Sequence, residues 1–486
     1  MLFNSIQFLI FFPVVVIVYF LIDQKYRWIF LLVASYYFYM CWEPGYLLLI
    51  ILSTLIDYFA AIMMGRHSEK SKRKIYLILS LFTNLSLLAI FKYYNFFNQS
   101  IGCLFNYFHV DYKFSSLNLL LPVGISFYTF QTLSYSIDVY RGDKEPEKHL
   151  GMFALYVAFF PQLVAGPIER STRLLPQFYK KFNFDYDRVV SGLRLMLWGM
   201  FKKVVIADRL AIFVDKVYSK PDAFTGLELN LATIFFAFQI YCDFSGYSDI
   251  AIGSSKVLGF DLMKNFNKPY FARSIPEFWC RWHISLTTWF KDYLYIPLGG
   301  NKVSAKRFYF NVLVVFLLSG LWHGANWTFV IWGFLHALYY IFSKLTRNLR
   351  SLIVKIVKLN KFPVIHSFLQ TVFTFILVCF SWIFFRANSL KDAIYIYSHL
   401  FFNWNKSSVV LSFMAGKTTE YYPNVIPSIY LIMFFVVVQY FQKHDWFKCS
   451  YFERYIALRW SIYLLLCLVI MNYGVVKIIP FIYFQF

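Results

Sequence analysis

Apolar runs of about 20 residues, enough to cross a ~30 Å hydrocarbon core at roughly 1.5 Å per helical residue, recur along the whole of this 486-residue chain. Inside lipid every backbone amide must find its partner within the chain, which leaves helix bundles and closed barrels as spanning structures. The runs are continuous rather than alternating, so a β-barrel is excluded. Only 15% of the residues are charged, against about 25% in a soluble domain. The expected fold class is an all-α polytopic membrane protein.

The first runs cover about residues 2–23, 28–41, 46–64 and 75–92. The first lacks a basic leader and a small-residue cleavage site, so it reads as a helix that stays rather than a removable signal. Loop 65–74 is dense in Lys and Arg, while 42–45 has neither. That asymmetry predicts the N-terminus outside and 65–74 in the cytoplasm. An aromatic stretch, 93–118, is expected at the interface, and a fifth run covers 119–140.

Residues 151–165 are apolar but short, and a basic stretch over 169–188 comes after them. A full crossing would put that stretch outside, so a re-entrant segment turning at Gly166-Pro167 and walling an internal chamber is expected. A long helix over 188–217 is interrupted by Lys202 and Lys203. Another, over 228–259, carries Asp243, Ser245, Ser248 and Asp249, whose polar atoms must face other helices or a wet pocket. Residues 261–307, basic and aromatic, read as amphipathic or re-entrant helices on the cytoplasmic side.

Two runs, 308–322 and 326–341, flank His323. Each is about 23 Å long and has a basic outer flank, which predicts a hairpin entering from the cytoplasm with His323 near its tip. The remaining spans are expected at about 366–386, 426–441 and 460–483.

The net charge of +22 resides in short loops. It suits anionic headgroups or an anionic substrate, not nucleic acid. The seven cysteines are scattered with no CxxC pair, so neither zinc nor a disulfide framework is indicated. No metal ligation is expected; His283, His323 and Asp249 have no recognisable ligand spacing.

An ionisable group at membrane depth is costly and is usually kept for function. His323 stands in Leu318-Ser-Gly-Leu-Trp-His-Gly-Ala-Asn-Trp327, between Gly320 and Gly324. A neutral imidazole there can take a proton from a hydroxyl and return it to a leaving thiol. His283 stands 40 residues upstream in a basic and aromatic setting that includes Arg281, Trp282, Trp289 and Lys291. Such a surface suits a phosphorylated, nucleotide-bearing ligand; an interfacial aromatic belt would read the same way. Asp243, Ser245, Asp249 and Asn326 are candidate pocket-lining residues. No GxSxG elbow surrounds either serine of the 243–249 stretch, so a serine nucleophile is not indicated, and no nucleophile for a covalent intermediate can be named.

Several of these segments together resemble the membrane-bound O-acyltransferase family, in its bacterial alginate O-acetyltransferase-like branch. They are Leu121 to Gln131, Phe160-Pro-Gln-Leu-Val-Ala-Gly-Pro-Ile-Glu169, Tyr241-Cys-Asp-Phe-Ser-Gly-Tyr-Ser-Asp249, Phe278 to Gly300, Leu318 to Trp327, and Trp382-Ile-Phe-Phe-Arg-Ala387. The resemblance implies a single acyltransferase domain, with a motif core over about 119–390, further helices over 391–486, and roughly 11–13 transmembrane or re-entrant helices around a central funnel. It implies His323 as the principal catalytic residue, His283 as the second, and a place in a bacterial cytoplasmic (inner) membrane. The donor would be acetyl-CoA, with no bound cofactor. The acceptor would be an exported polysaccharide such as alginate, reached through an extracytoplasmic SGNH-hydrolase-type partner. Two alternatives stay open: D-alanyl transfer from a carrier protein to teichoic acid, and a transporter using His323 as a proton relay.

Overall fold

A computed structural model describes residues 1–164, 166–407, 409, 412, 424–443, 455–475 and 479–484. Ala165 in the expected re-entrant turn, Cys449, and parts of the 391–486 and 460–483 regions lie outside the described residues. Among those described there is no strand, and eight helices are long and apolar enough to cross a membrane. The chain is an all-α polytopic protein. It divides into two compact units, one formed by Met1–Met196 with Ser248–Lys264, the other by Leu197–Tyr247 with the described residues from Asn265 onward.

In the first unit α1 (Ile6–Leu21), α2 (Gln24–Met40) and α3 (Leu47–Arg66) match the expected spans closely. The side chain of Ser5 caps α1 by accepting from the Phe8 amide at 3.2 Å. The fourth run does not stop near 92: α4 (Lys70–Leu88) passes through a π segment, Ala89–Tyr93, into α5 (Tyr94–Tyr107). No proline interrupts residues 70–107, so much of the aromatic stretch is helical. Helix α6 (Ile125–Arg141) starts later than expected, because Gly124 ends the approach with φ +77; a β-carbon there would lie 2.8 Å from the Leu163 carbonyl oxygen.

A polar cluster joins α3, α4 and α6. The Asp57 carboxyl, fully buried, accepts from Ser80, from Asn84 at 3.0 Å to each oxygen, and from Ser136 at 3.2 Å.

The short apolar stretch after residue 150 is a broken helix, with α7 (Leu150–Ala158) separated from α8 (Phe160–Leu163) at Phe159. The break comes earlier than Gly166-Pro167. The freed Phe160 amide donates to Ser35 Oγ at 3.0 Å, which satisfies a buried backbone group as it must. Helix α9 (Ser171–Phe178) is next, and Glu169, just before it, is buried and accepts from the Met263 amide. Helix α10 (Tyr186–Met200) runs on from this unit into the second.

In the second unit a π segment, Phe201–Ala207, leads into α11 (Asp208–Ser219). The long α12 (Gly226–Leu258) has its first part here, and α13 (Ile275–Trp279) and α14 (Ile284–Phe290) are short. Helices α15 (Ala305–His323) and α16 (Trp327–Leu345) have 19 residues each, so each is about 28 Å long. The sequence expectation of about 23 Å undercounted them, because Lys306, Arg307 and Lys344 are inside the helices. The two touch backbone to backbone: a β-carbon on Gly320 would lie 2.3 Å from the Phe329 carbonyl oxygen, and one on Gly333 2.3 Å from that of Phe316.

Beyond them come α17 (Arg347–Ile356), α18 (Pro363–Arg386), α19 (Leu390–His399), α20 (Val425–Lys443) and α21 (Ile456–Tyr473). The last span does not run to 483. It ends at Tyr473, and past it the Val475 amide donates to the Val204 carbonyl at 3.1 Å.

Candidate active site

His323 is the last residue of α15 and is buried. Only glycine fits at the next position, since a β-carbon on Gly324 would sit 2.1 Å from the Phe329 ring. Aromatic rings surround the imidazole, with centroids at 5.0 Å for Trp322 and Trp332, 5.3 Å for Phe385 and 5.5 Å for Tyr483. The centroid of His283 lies 6.4 Å away. Two histidines far apart in sequence are thus brought into one aromatic enclosure.

His283 precedes α14 in a left-handed conformation, φ 42 and ψ 54, which costs a residue with a β-carbon roughly 1–2 kcal/mol. Asn265 holds that turn: its carbonyl accepts from the Ile284 amide at 2.8 Å and its Oδ1 from Ser285 Oγ at 2.6 Å. Phe244 of α12 stands edge-on to the imidazole at 4.6 Å. Burial lowers the His283 pKa to about 3, so this imidazole is neutral at ordinary pH and its ring can offer one donor and one acceptor.

Next to Phe244, Asp243 is buried in an ion cluster. Lys203 Nζ lies 2.9 Å from its Oδ1 and 2.8 Å from Asp208 Oδ1. The π segment places that lysine inward, a deviation often found at functional positions. The other Asp243 oxygen accepts from the Ile482 amide at 2.9 Å. Through this bond the ion cluster anchors segment 479–484, whose Tyr483 ring is 5.5 Å from His323 and 6.4 Å from His283.

The other candidates fall in several places. Ser245 accepts from Lys202 Nζ at 3.0 Å, beside the ion cluster. Asn326 caps α16, accepting from the Thr328 amide at 3.0 Å. Asp249, half-buried on α12, belongs to the part of that helix in the first unit. Arg281 braces its own loop, pairing with Glu277 at 2.7 Å and donating to the Asn267 carbonyl at 3.2 Å. Trp282 is fully buried among Tyr241, Phe266, Phe278 and Trp382. Trp289 is buried beside Tyr293, and Lys291 is exposed. The structure therefore gathers His323, His283 and, through segment 479–484, Asp243, but not the expected donor contacts. Among the described residues no group of three metal-ligating side chains occurs.

Sequence reasoning missed Tyr483, Lys203 and Asp208. The visible signals were Gly474 and Pro480, which break the last apolar run, and the lysine pair interrupting an apolar helix.

The model of the family described as MBOAT, membrane-bound O-acyltransferase, matches residues 148–387, a range that holds both histidines. The chain is 41% identical over 403 residues to the probable alginate O-acetylase of Pseudomonas aeruginosa, covering 82% of this chain and 75% of the relative. It is 36% identical over 430 residues to the peptidoglycan O-acetyltransferase of Helicobacter pylori, covering 81% and 78%. With the teichoic acid D-alanyltransferase of Bacillus subtilis it shares 28% identity over 281 residues, 54% of this chain and 68% of that one. The chain belongs to the membrane-bound O-acyltransferase family and is an O-acyltransferase.

Proposed function

We propose that this O-acyltransferase takes an acetyl group from acetyl-CoA at the cytoplasmic face and moves it across the membrane for O-acetylation of an exported polysaccharide. The observation that carries the reading is the pairing of His323 with His283, 6.4 Å apart in an aromatic enclosure. His323 acts as general base: it takes the proton of the attacking hydroxyl and returns it to the departing thiolate. Neutral His283 positions the thioester by hydrogen bonding rather than by charge. A charged CoA cannot enter hydrocarbon, so only its acyl end needs to reach the pocket. The relatives named as acetylases of alginate and peptidoglycan support an acetyl group and an exported polymer. An extracytoplasmic SGNH-hydrolase-type partner would complete the delivery to that polymer. D-alanyl transfer is the weaker reading, given the lower identity to the teichoic acid enzyme.

The test is acetyl-CoA turnover by protein in lipid nanodiscs, comparing the parent with His323→Ala at matched folding. CoA release lost in the variant is the expected result. Equal release in both would refute the role given to His323. Discharge of a D-alanyl carrier protein instead of acetyl-CoA would move the donor assignment.

One placement favours a covalent variant of the same mechanism. The Tyr483 ring lies 5.5 Å from that of His323, and burial pushes the pKa of its phenol up, so it needs a base before it can attack. In that case the phenol oxygen bonds to the acetyl carbon and the C–S bond breaks. The proton leaves with the thiol through His323, and the acetyl group waits as an aryl ester. Mass spectrometry of the Tyr483 peptide after incubation with acetyl-CoA tests this. An acetyl adduct absent from Tyr483→Phe is expected, and unmodified peptide in an active enzyme would reject it.

A further inference from the structure

Away from the histidines, the second unit contains a cavity of about 1350 Å³. Its walls are the start of α13, the last third of α16, α17 and the first half of α18. Its lining is largely hydrocarbon, with Leu338, Phe342, Leu369 and Phe373 among it, all of them exposed side chains. Four cationic side chains also line it, Arg273, Arg347, Arg350 and Lys355, and no carboxylate does. The imbalance goes further than the cavity: the sequence has no Asp or Glu between Asp292 and Asp392. Arg273 Nε is 3.9 Å from Glu277, and Arg350 donates to Ser343, but Arg347 and Lys355 make no ion pair among the described residues.

Helix α17 adds an independent observation. None of its residues is buried, although Leu349, Leu352, Ile353 and Ile356 are large and apolar. Its basic residues alternate with these, the composition of a helix lying in a headgroup layer. A groove whose lining combines apolar side chains with cations and no carboxylate matches an elongated amphiphile with an anionic head.

We propose that this cavity is a binding site for one anionic phospholipid, its phosphate held by Arg347 and Arg350 and its acyl chains running between α16 and α18. Basic pockets between membrane helices are recognised settings for anionic headgroups, and arginine is suited to planar bidentate contact with phosphate. A nucleotide-bearing thioester fits less well, since the mostly apolar lining offers it hydrocarbon where it carries ribose and phosphate.

The site also bears on the catalytic region. His336, on α16, accepts from Trp279 Nε1 of α13 at 3.3 Å and lies 2.9 Å from Ser381 Oγ of α18. Three of the four helices that wall the cavity are thus tied to one another, and α16 and α18 also supply Trp332 and Phe385 to the His323 enclosure. A lipid between them would brace that enclosure.

The experiment is native mass spectrometry of detergent-purified full-length protein titrated with phosphatidylglycerol or phosphatidylcholine. The parent is compared with Arg347→Gln/Arg350→Gln and with the exposed control pair Lys180→Gln/Lys181→Gln. One tightly held phosphatidylglycerol is expected, preferred over phosphatidylcholine by about tenfold, a preference worth roughly 1.4 kcal/mol. It should vanish in the first double variant and persist in the control. Equal retention of both lipids would mean annular lipid only and would overturn the proposal, as would a preference unchanged by Arg347→Gln/Arg350→Gln. Displacement of the bound lipid by acetyl-CoA, and not by inorganic phosphate, would reassign the cavity to the donor. Elution volume and melting temperature of the variants show that they are folded.

Discussion

Two buried aspartates show how this chain uses polarity in opposite ways. In the first unit Asp57 is held by neutral donors from two serines and an asparagine, and the cluster does nothing visible except clasp α3, α4 and α6. In the second unit Asp243 is held by a lysine that it shares with Asp208, and its remaining oxygen fixes a backbone amide next to Tyr483. Polar residues between membrane helices usually contribute modest packing energy. The same residue type is therefore a clasp in one place and an anchor for the candidate site in another. The element at the far end of the hydrogen bond separates the two roles.

The largest expected effect tests the anchor. Lys203→Met removes the cation shared by two buried carboxylates, and breaking a buried pair in this way costs about 3–5 kcal/mol. The variant should melt far below the parent in a thermal unfolding assay and should release no CoA. A folded and active Lys203→Met would end the idea that the cluster anchors anything. Asp243→Asn is gentler, because the amide oxygen can still accept from Ile482. Here turnover should fall by about tenfold, some 1.4 kcal/mol of transition-state stabilisation, with a smaller change in melting temperature.

On the other side of the comparison, Asp57→Ala leaves Ser80, Asn84 and Ser136 without their acceptor, a loss of roughly 1.5–3 kcal/mol of stability. Turnover per folded molecule should remain that of the parent. If turnover falls as steeply as in Asp243→Asn, the contrast between clasp and anchor disappears.

The smallest effect is in pH. Burial raises Glu169 of the first unit to about 7, so its neutral form is favoured in the fold. The stability it contributes is complete below the ordinary glutamate value and is lost as pH rises toward about 7. His283 of the second unit runs the other way: its contribution is complete above the ordinary histidine value and is lost as pH falls toward about 3. Melting temperature tracked over pH should therefore show Glu169→Gln flattening the upper limb and His283→Gln the lower one. A Glu169→Gln profile identical to the parent's would show that the carboxyl is not held neutral.

Much of the architecture is readable in the sequence. Long apolar runs and the charge asymmetry of loops make the helical membrane class plain, and His323 stands out as an imidazole amid tryptophans and glycines, whereas the setting of His283 reads equally as an interfacial aromatic belt. The expected boundaries err where charged residues are trimmed from helices that in fact contain them, as with Lys306 and Lys344. Tyr483 is invisible for a different reason. Its relation to His323 depends on the Ile482–Asp243 bond, which joins positions 239 residues apart, and no periodicity reports such a pairing. Arg281 and Trp282 show the converse: a basic and aromatic composition identifies a surface type, but packing decides which side chains remain available to a ligand.

The late position of Tyr483 has a consequence for the life of the protein in the cell. A ribosome adds about 5–20 residues per second, so the roughly 160 residues between His323 and Tyr483 take on the order of 8–30 s to make. During that interval both histidines are already synthesised while the Tyr483 ring packed beside them is not. On the covalent reading proposed for Tyr483, a half-made chain is an idle one, and premature termination anywhere in that stretch would give a protein that occupies the membrane without consuming the proposed donor.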